Sequence, residues 1–275
     1  MGEALNLEMI TTVIKGAGDL ATGVATRLYG AGFKVIMTEI KQPTVVRRKV
    51  AFAEAVYTGS ISIEGITARL ATQDNWLSIL QAGEIPVLID PQASIIEQTK
   101  PQVVVDAIIA KTNTGTTPGL APVVIALGPG FTAPQDAHAV IETKRGHYLG
   151  RVLYKGSAIP NTGIPGEVGG KTEERILRAP CAGLFIGRAE IGDWVKQGQV
   201  VGHVEDMPVV SLLDGYLRGF LKPGLTVHQG MKIGDVDPRA EREHCFTISD
   251  KARALGGAVL EAMLYLLKKQ NIIFN

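Results

Sequence analysis

The sequence predicts an α/β fold: a Rossmann-like, doubly wound parallel sheet, then a small all-β domain with an internal pseudo-twofold repeat, then a C-terminal helix. Three observations predict it. A glycine-rich turn, Gly16-Ala17-Gly18-Asp19-Leu20-Ala21, joins an apolar run to a helical pattern. Short β-branched runs alternate with helical patterns through the first half, as strands buried on both faces do. The stretch 180–238 repeats its own glycines at an offset of 32 residues.

In chain order, residues 11–15 read as a strand, 20–29 as a helix and 34–39 as a second strand. Residues 74–82 form a helical pattern, and 86–90, 103–109 and 123–127 are further apolar strands. From 128 to 176 Gly, Pro and Thr become frequent, the texture of loops, with a strand expected at 148–154. In the repeat, Gly183, Gly187, Gly192, Val195, Gly198 and Gly202 recur as Gly215, Gly219, Gly224, Val227, Gly230 and Gly234. Two strand–turn–strand copies, each too small to bury a face alone, pack together; the pattern resembles the barrel-sandwich of biotinyl and lipoyl domains. Residues 249–267 read as a long helix capped by Ser249 or Asp250. The expected divisions are 1–155, a nucleotide- or cofactor-binding part; 176–238, the barrel-sandwich-like part; and 239–275, a helical segment.

The glycine turn is the leading candidate site. Gly16 permits a tight exit from the strand, and Gly18 lets backbone approach a phosphate. Ala17, Asp19 and Leu20 belong to the same turn, and Ala21 keeps the helix close to the sheet. Free N–H groups at a helix start attract phosphate. Glu39, 21 residues after Gly18, can accept hydrogen bonds from the ribose hydroxyls of an NAD-like ligand. Asp19 opposes a pyrophosphate by its charge, and instead caps the helix or meets a hydroxyl or metal near the ligand. A turn that only packs stays open as the alternative.

Lys111 and Asn113 follow the strand at 103–109 and either contact phosphate or form a polar surface turn. Gly128 and Gly130 follow the strand at 123–127 and either line the same crevice or make a sharp bend. Arg145 is an anion-binding candidate and His147 an acid–base candidate. Cys181 and Cys245 read as buried thiols rather than nucleophiles. No metal-ligand spacing and no set of catalytic residues is visible.

Composition narrows the function. The chain has 275 residues, 45% of them hydrophobic and 20% charged, with 28 Lys or Arg against 27 Asp or Glu. Without a basic excess, and with 5% aromatics, nucleic acid is not an expected partner. Two cysteines without a CxxC pair suit a reducing compartment. The N-terminal stretch has no basic region ahead of an apolar one, so no signal peptide is read there. The apolar run at 252–267 is broken by Glu261 and is too short to span a bilayer. A cytoplasmic protein without membrane contact is expected; a homo-oligomer stays open.

Four segments carry a family resemblance: VIKGAGDLATGVATRL, DAIIAKTNTG, ETKRGHYLGRVLYKGSAIPNTGIPGEVGG and SDKARALGGAVLEA. With them the chain resembles the YqeB-type proteins of selenium-dependent molybdenum hydroxylase systems. Their Rossmann part is similar to maturation factors of the XdhC/CoxI type. The resemblance implies an accessory protein that serves a molybdenum hydroxylase and handles a nucleotide, dinucleotide or molybdenum-cofactor-type ligand. It carries over to Gly16, Gly18, Lys111 and Asn113 as ligand-facing positions. Two alternatives remain: an NAD-linked oxidoreductase using Gly16, Gly18 and Glu39, and a docking module at 180–238.

Met231-Lys232-Ile233 superficially resembles a biotin acceptor. In the repeat, however, Lys232 aligns with Val200 inside a strand, and the hairpin between the halves, at 205–208, has no lysine. An intact mass equal to that of the bare sequence is therefore expected; an added biotin or lipoyl mass overturns this reading.

Overall fold

The computed structural model describes residue 7 and residues 10–164 and 166–272. The N-terminal stretch read for a signal peptide lies, apart from residue 7, outside the described residues.

A nine-stranded sheet forms the centre of the first half. Its strands are β1 (Thr11–Lys15), β2 (Lys34–Glu39), β3 (Ser60–Ile63), β4 (Ile66–Ala71), β5 (Ile85–Ile89), β6 (Val103–Asp106) and β7 (Val123–Leu127). A two-stranded ribbon pairs β8 (Thr132–Ala133) with β11 (Gly156–Ser157), and the large sheet ends with β9 (Ala139–Ile141) and β10 (Val152–Leu153). The order is β10-β9-β7-β6-β1-β2-β5-β4-β3. Strands β9, β7, β6, β1, β2, β5 and β4 run parallel, while β3 and β10 pair antiparallel at the two edges.

Helix α1 (Asp19–Gly30) buries Ala21, Val24, Ala25 and Leu28, the three-and-four spacing of an amphipathic face. On the opposite face of the sheet, Ile79 of α3 (Trp76–Gln81) and Ile95 of α4 (Ile95–Thr99) join a core with Val13, Ile36 and Val104. The four-residue helix α2 (Ala55–Thr58) lies before β3. The last helix, α5 (Asp250–Lys269), starts at Ser249, whose side chain accepts from the Ala252 N–H. It packs alongside α1 and shares that helix's core through Ala252, Leu255, Val259 and Met263.

The second half holds two four-stranded antiparallel sheets. One has β12 (Ile176–Arg178), β14 (Trp194–Val195), β17 (Gly215–Phe220) and β19 (Lys232–Asp237); the other has β13 (Gly183–Gly187), β15 (Val200–Val204), β16 (Met207–Val210) and β18 (Thr226–Val227). The repeat is visible in the pairing. Strand β13 pairs with β15 and β17 with β19, and the short strands are exchanged, β18 onto β13 and β14 onto β17. Between the sheets lie Phe185, Val201, Leu217, Phe220 and Ile233.

This corrects the expected fold class. The chain is not a Rossmann-like doubly wound parallel sheet joined to a barrel-sandwich-like domain. It is a mixed α/β fold with a large mixed sheet and antiparallel sheets. Strand β5 inserts between β2 and β4, antiparallel strands close both edges, and no α-helix joins β6 to β7 or β7 to β9. Apolar runs report that strands are buried, not their direction or neighbours. The β half is likewise not self-contained: β12 lies outside the repeat, and Phe220 donates its N–H to the Val46 carbonyl at 2.6 Å. The strand expected at 148–154 shrinks to Val152–Leu153, and β6 ends at Asp106 rather than 109. Among the described residues no helix is long and apolar enough to cross a membrane.

The contact of α1 with α5 rests on missing side chains. A Cβ on Gly23 would lie 2.6 Å from the Ala252 Cβ, and a Cβ on Gly256 would press into the Gly23 carbonyl. Gly256→Ala is expected to destabilise by about 1–3 kcal/mol through overpacking. On the same helix, Gly257 has open space around its Cβ position. Gly257→Ala is expected to stabilise by about 0.5–1 kcal/mol. Thermal unfolding of the two variants checks this.

Candidate functional site: a cationic cleft between the two halves

The turn after β1 is built as the sequence suggests, but its groups are used inward. Gly16 has φ +91°, and a Cβ there would lie 3.1 Å from the Ala107 carbonyl oxygen. The Ala17 carbonyl accepts from the Ala53 N–H at 2.8 Å. Gly18 stands at the start of α1 with no side-chain cap, and the Val45 side chain lies over it. Glu39 does not reach outward. Its Oε2 accepts from the Ala17 N–H at 3.0 Å and its Oε1 from the Ile40 N–H at 2.8 Å. Burial raises its pKa despite those two bonds. The carboxylate expected to meet a ribose instead ties the glycine turn to the end of β2.

Above this turn, where several parallel strands end, a cleft of about 770 Å³ opens between the halves. That is the position expected for ligands of open α/β sheets. Asp19 and Leu20 border it from α1, Ile109 and Lys111 from the loop after β6, and Pro129 from the loop after β7. Gly128 and Gly130 lie outside the lining: a Cβ on Gly130 would lie 2.7 Å from the Thr112 backbone, so Gly130 lets the loops after β6 and β7 meet, while a Cβ on Gly128 would press on the Thr143 side chain. Asn113 is spent on its own loop and on Asp136. Its Oδ1 accepts from the Gly115 and Thr116 N–H groups, and its Nδ2 donates to the Thr116 carbonyl and to Asp136. His147 lies outside the lining and is exposed.

The loop from 107 to 116 is held in a costly shape. Ile109 and Lys111 have φ of +59° and +66°, conformations that cost on the order of 1–3 kcal/mol each in residues with side chains. A buried network anchors it. Lys15 Nζ lies 3.1 Å from Asp106 and donates to the Thr116 hydroxyl at 2.6 Å; that hydroxyl donates to Asp106.

The cleft walls are cationic. Eight Lys or Arg residues line it against three carboxylates among the described residues. Arg47, Lys144, Arg145 and Lys251 come from the first half and α5; Arg175, Arg218 and Lys232 come from the β half. Lys111 and Arg145 are the cations the sequence singles out as anion ligands; Lys111 borders the cleft, and Asp250 clamps Arg145 at 2.7 and 3.0 Å. Arg47 donates to the His244 and Thr247 carbonyls and lies 3.6 Å from Asp19. Arg175 pairs with Asp235 at 2.5 Å and donates to the Gly166 carbonyl. Both are buried, and the Nε of each finds no acceptor. Burial, then the Arg47 guanidinium, pushes Arg218 down to about 10. Burial also lowers the ammonium groups of Lys232 and Lys251. Such a concentration of positive charge attracts anions. Most of these cations are isolated charges in separate strands and loops, without a motif to mark them. Both cysteines are free; Cys245 is buried in the β core, and that burial raises its thiol pKa.

Over 256 residues the chain is 53% identical to the uncharacterized protein YqeB of Escherichia coli strain K12, covering 93% of this chain and 47% of the relative. The chain is similar to YqeB over most of its length. It spans about half the length of YqeB. No protein-family model matches the chain. Among solved structures, an aspartoacylase family protein from Mesorhizobium loti aligns over 77% of this chain and 59% of its own, with 12% identity and a TM-score of 0.25. A succinylglutamate desuccinylase/aspartoacylase from Rhodobacter sphaeroides aligns over 82% and 86%, with 12% identity and a TM-score of 0.26. At these scores the likeness carries no argument about fold or activity.

Lys232 and Lys251 lose protons more readily folded than unfolded, since both lie below the ordinary 10.5. Between the lowered values and 10.5 the unfolded chain binds more protons. The stability of the unliganded protein therefore rises with pH through that window. A Lys232→Gln, Lys251→Gln double variant is expected to show a smaller rise in unfolding temperature between neutral pH and pH 10.

Proposed function

We propose that the chain is an accessory protein that helps mature a selenium-dependent molybdenum hydroxylase, in a role like that of the XdhC/CoxI-type factors. It holds a nucleotide or molybdenum-cofactor-type phosphorylated ligand in the cationic cleft, in the cytoplasm, and passes it to the hydroxylase as its partner. One observation carries this reading. The four segments that resemble the YqeB-type proteins lie apart in sequence, yet each lends residues to the cleft: Asp19 and Leu20, Ile109 and Lys111, Lys144 with Glu167, and Ser249 with Lys251.

The chemistry of the cleft suits such cargo. Paired guanidinium and ammonium groups neutralise phosphate oxygens, and they do so more strongly when water is partly excluded. Apolar side chains such as Ile109, Ile159 and Ile164 share the lining and can cover the uncharged part of a bound molecule. The NAD-linked alternative is less favoured, because both Glu39 oxygens already accept a backbone N–H group.

The protein purified from its native host, grown with molybdate and selenium, is expected to carry molybdopterin, detected by fluorescence of its oxidised form, or to bring down a hydroxylase subunit. Neither appearing overturns the proposal. A thermal shift with NAD(H) that Glu39→Ala abolishes would favour the oxidoreductase instead.

A further inference from the structure

The cleft draws its cations from both halves of the molecule, and this bears on what it takes. Arg47 and Lys251 stand on one wall, Arg175 and Lys232 on the other. Carboxylates thread between them: Asp19 lies 3.6 Å from Arg47, and Asp235 lies 2.5 Å from Arg175 and 3.7 Å from Lys232. These carboxylates do not balance the charge. Behind the lining, Glu142 faces Lys251, Asp250 holds Arg145, and Asp237 is shared by Arg218 and Arg239. With these included, nine cations meet six carboxylates, leaving three positive charges unmatched.

Two further features point to a missing anion. Arg47 is 6% exposed and Arg175 7%, yet the Nε of each has no acceptor. Buried charged donors without acceptors are expensive, so these two arginines add poorly compensated positive charge beside the cleft. Helices α1 and α5 also run side by side in the same direction, with Gly23 against Ala252 and Arg27 against Gly256. Both start at this cleft, where Asp19, Ser249 and Lys251 line it. Their positive ends therefore add at one place.

We infer that the cleft takes a diphosphate group, held at once by Arg47 and Lys251 from the α/β half and by Arg175 and Lys232 from the β half, so that the ligand bridges the two. A diphosphate has negative charge to match the excess and two phosphorus centres, one for the cations of each half; a single phosphate offers one centre. The inference rests on the anion-binding reading of the cleft and narrows it to a diphosphate or its ester. Bridging also relieves the repulsion between Arg47 and Arg218, which face each other across the boundary.

Calorimetric titration of the full chain with inorganic pyrophosphate and with inorganic phosphate, at fixed ionic strength with chelator present, tests it. Pyrophosphate is expected to bind at least about tenfold more tightly than phosphate. Arg47→Gln and Arg175→Gln are expected to abolish the preference. Because both arginines also hold backbone carbonyls, Lys251→Gln and Lys232→Gln serve as milder variants, one per wall. Each is expected to weaken pyrophosphate roughly five- to tenfold without lowering the unfolding temperature of the free protein. Equal affinity for the two anions overturns the diphosphate assignment, and loss of affinity from one wall only overturns the bridge. Binding of neither anion overturns the inference, whereas the maturation role stands or falls separately on co-purification.

Discussion

Helices α1 and α5 approach closely because Gly23, Ala252 and Gly256 present almost no side chain between them. Much of the molecule depends on that contact. It seats the last helix on the first, although more than two hundred residues separate them, and it closes one face of the large sheet with the core around Val24, Leu28, Leu255 and Val259. It also sets where α5 begins. Because the helices run in the same direction, Ser249 and Lys251 arrive beside Asp19, and two helix starts share one cleft. A larger side chain at the contact would move the end of the chain away from the glycine turn and take a wall of the site with it.

The β half is placed by a second, smaller join. Phe220 donates its N–H to the Val46 carbonyl, and Arg48 donates back to the Phe220 carbonyl at 2.8 Å. Next to this join, Arg47 and Arg218 both donate to the His244 carbonyl. These two bonds hold the halves together while Arg47 and Arg218 concentrate like charge between them. Such a boundary stores unfavourable electrostatic energy that an anion can release. Sites of this kind trade stability for binding. The loop carrying Ile109 and Lys111 follows the same logic: its left-handed backbone is tolerated because Lys15, Asp106 and Thr116 anchor it from below.

Much of the local structure was legible from residue pattern. The glycine turn, α1, β1, β2, β7 and the cap at Ser249 lie where periodicity and capping chemistry place them. The 32-residue repeat likewise appears as two matching sets of paired strands. Strand direction and order were not legible, since an apolar run looks the same in a parallel or an antiparallel partner. The candidate site divided in the same way. Asp19, Leu20 and Lys111 border the cleft, but Glu39 and Asn113 spend their oxygens on nearby backbone N–H groups. A carboxylate at the right sequence distance does not reveal whether it points to solvent or to its own turn.

By itself the sequence determined the local geometry of the glycine turn, because Gly16 is held at a φ that side chains avoid, and it determined the twofold character of the β half. Only the tertiary structure decided that Arg47, Arg175, Arg218, Lys232 and Lys251 meet above that turn. Each is an ordinary surface-type residue in its own segment, and their shared site exists only once the α1–α5 contact and the Val46–Phe220 join bring those segments together. The turn is the candidate ligand site that the sequence offers; in the folded chain it borders a cationic cleft, and the charge of that cleft comes from residues far from the turn in sequence.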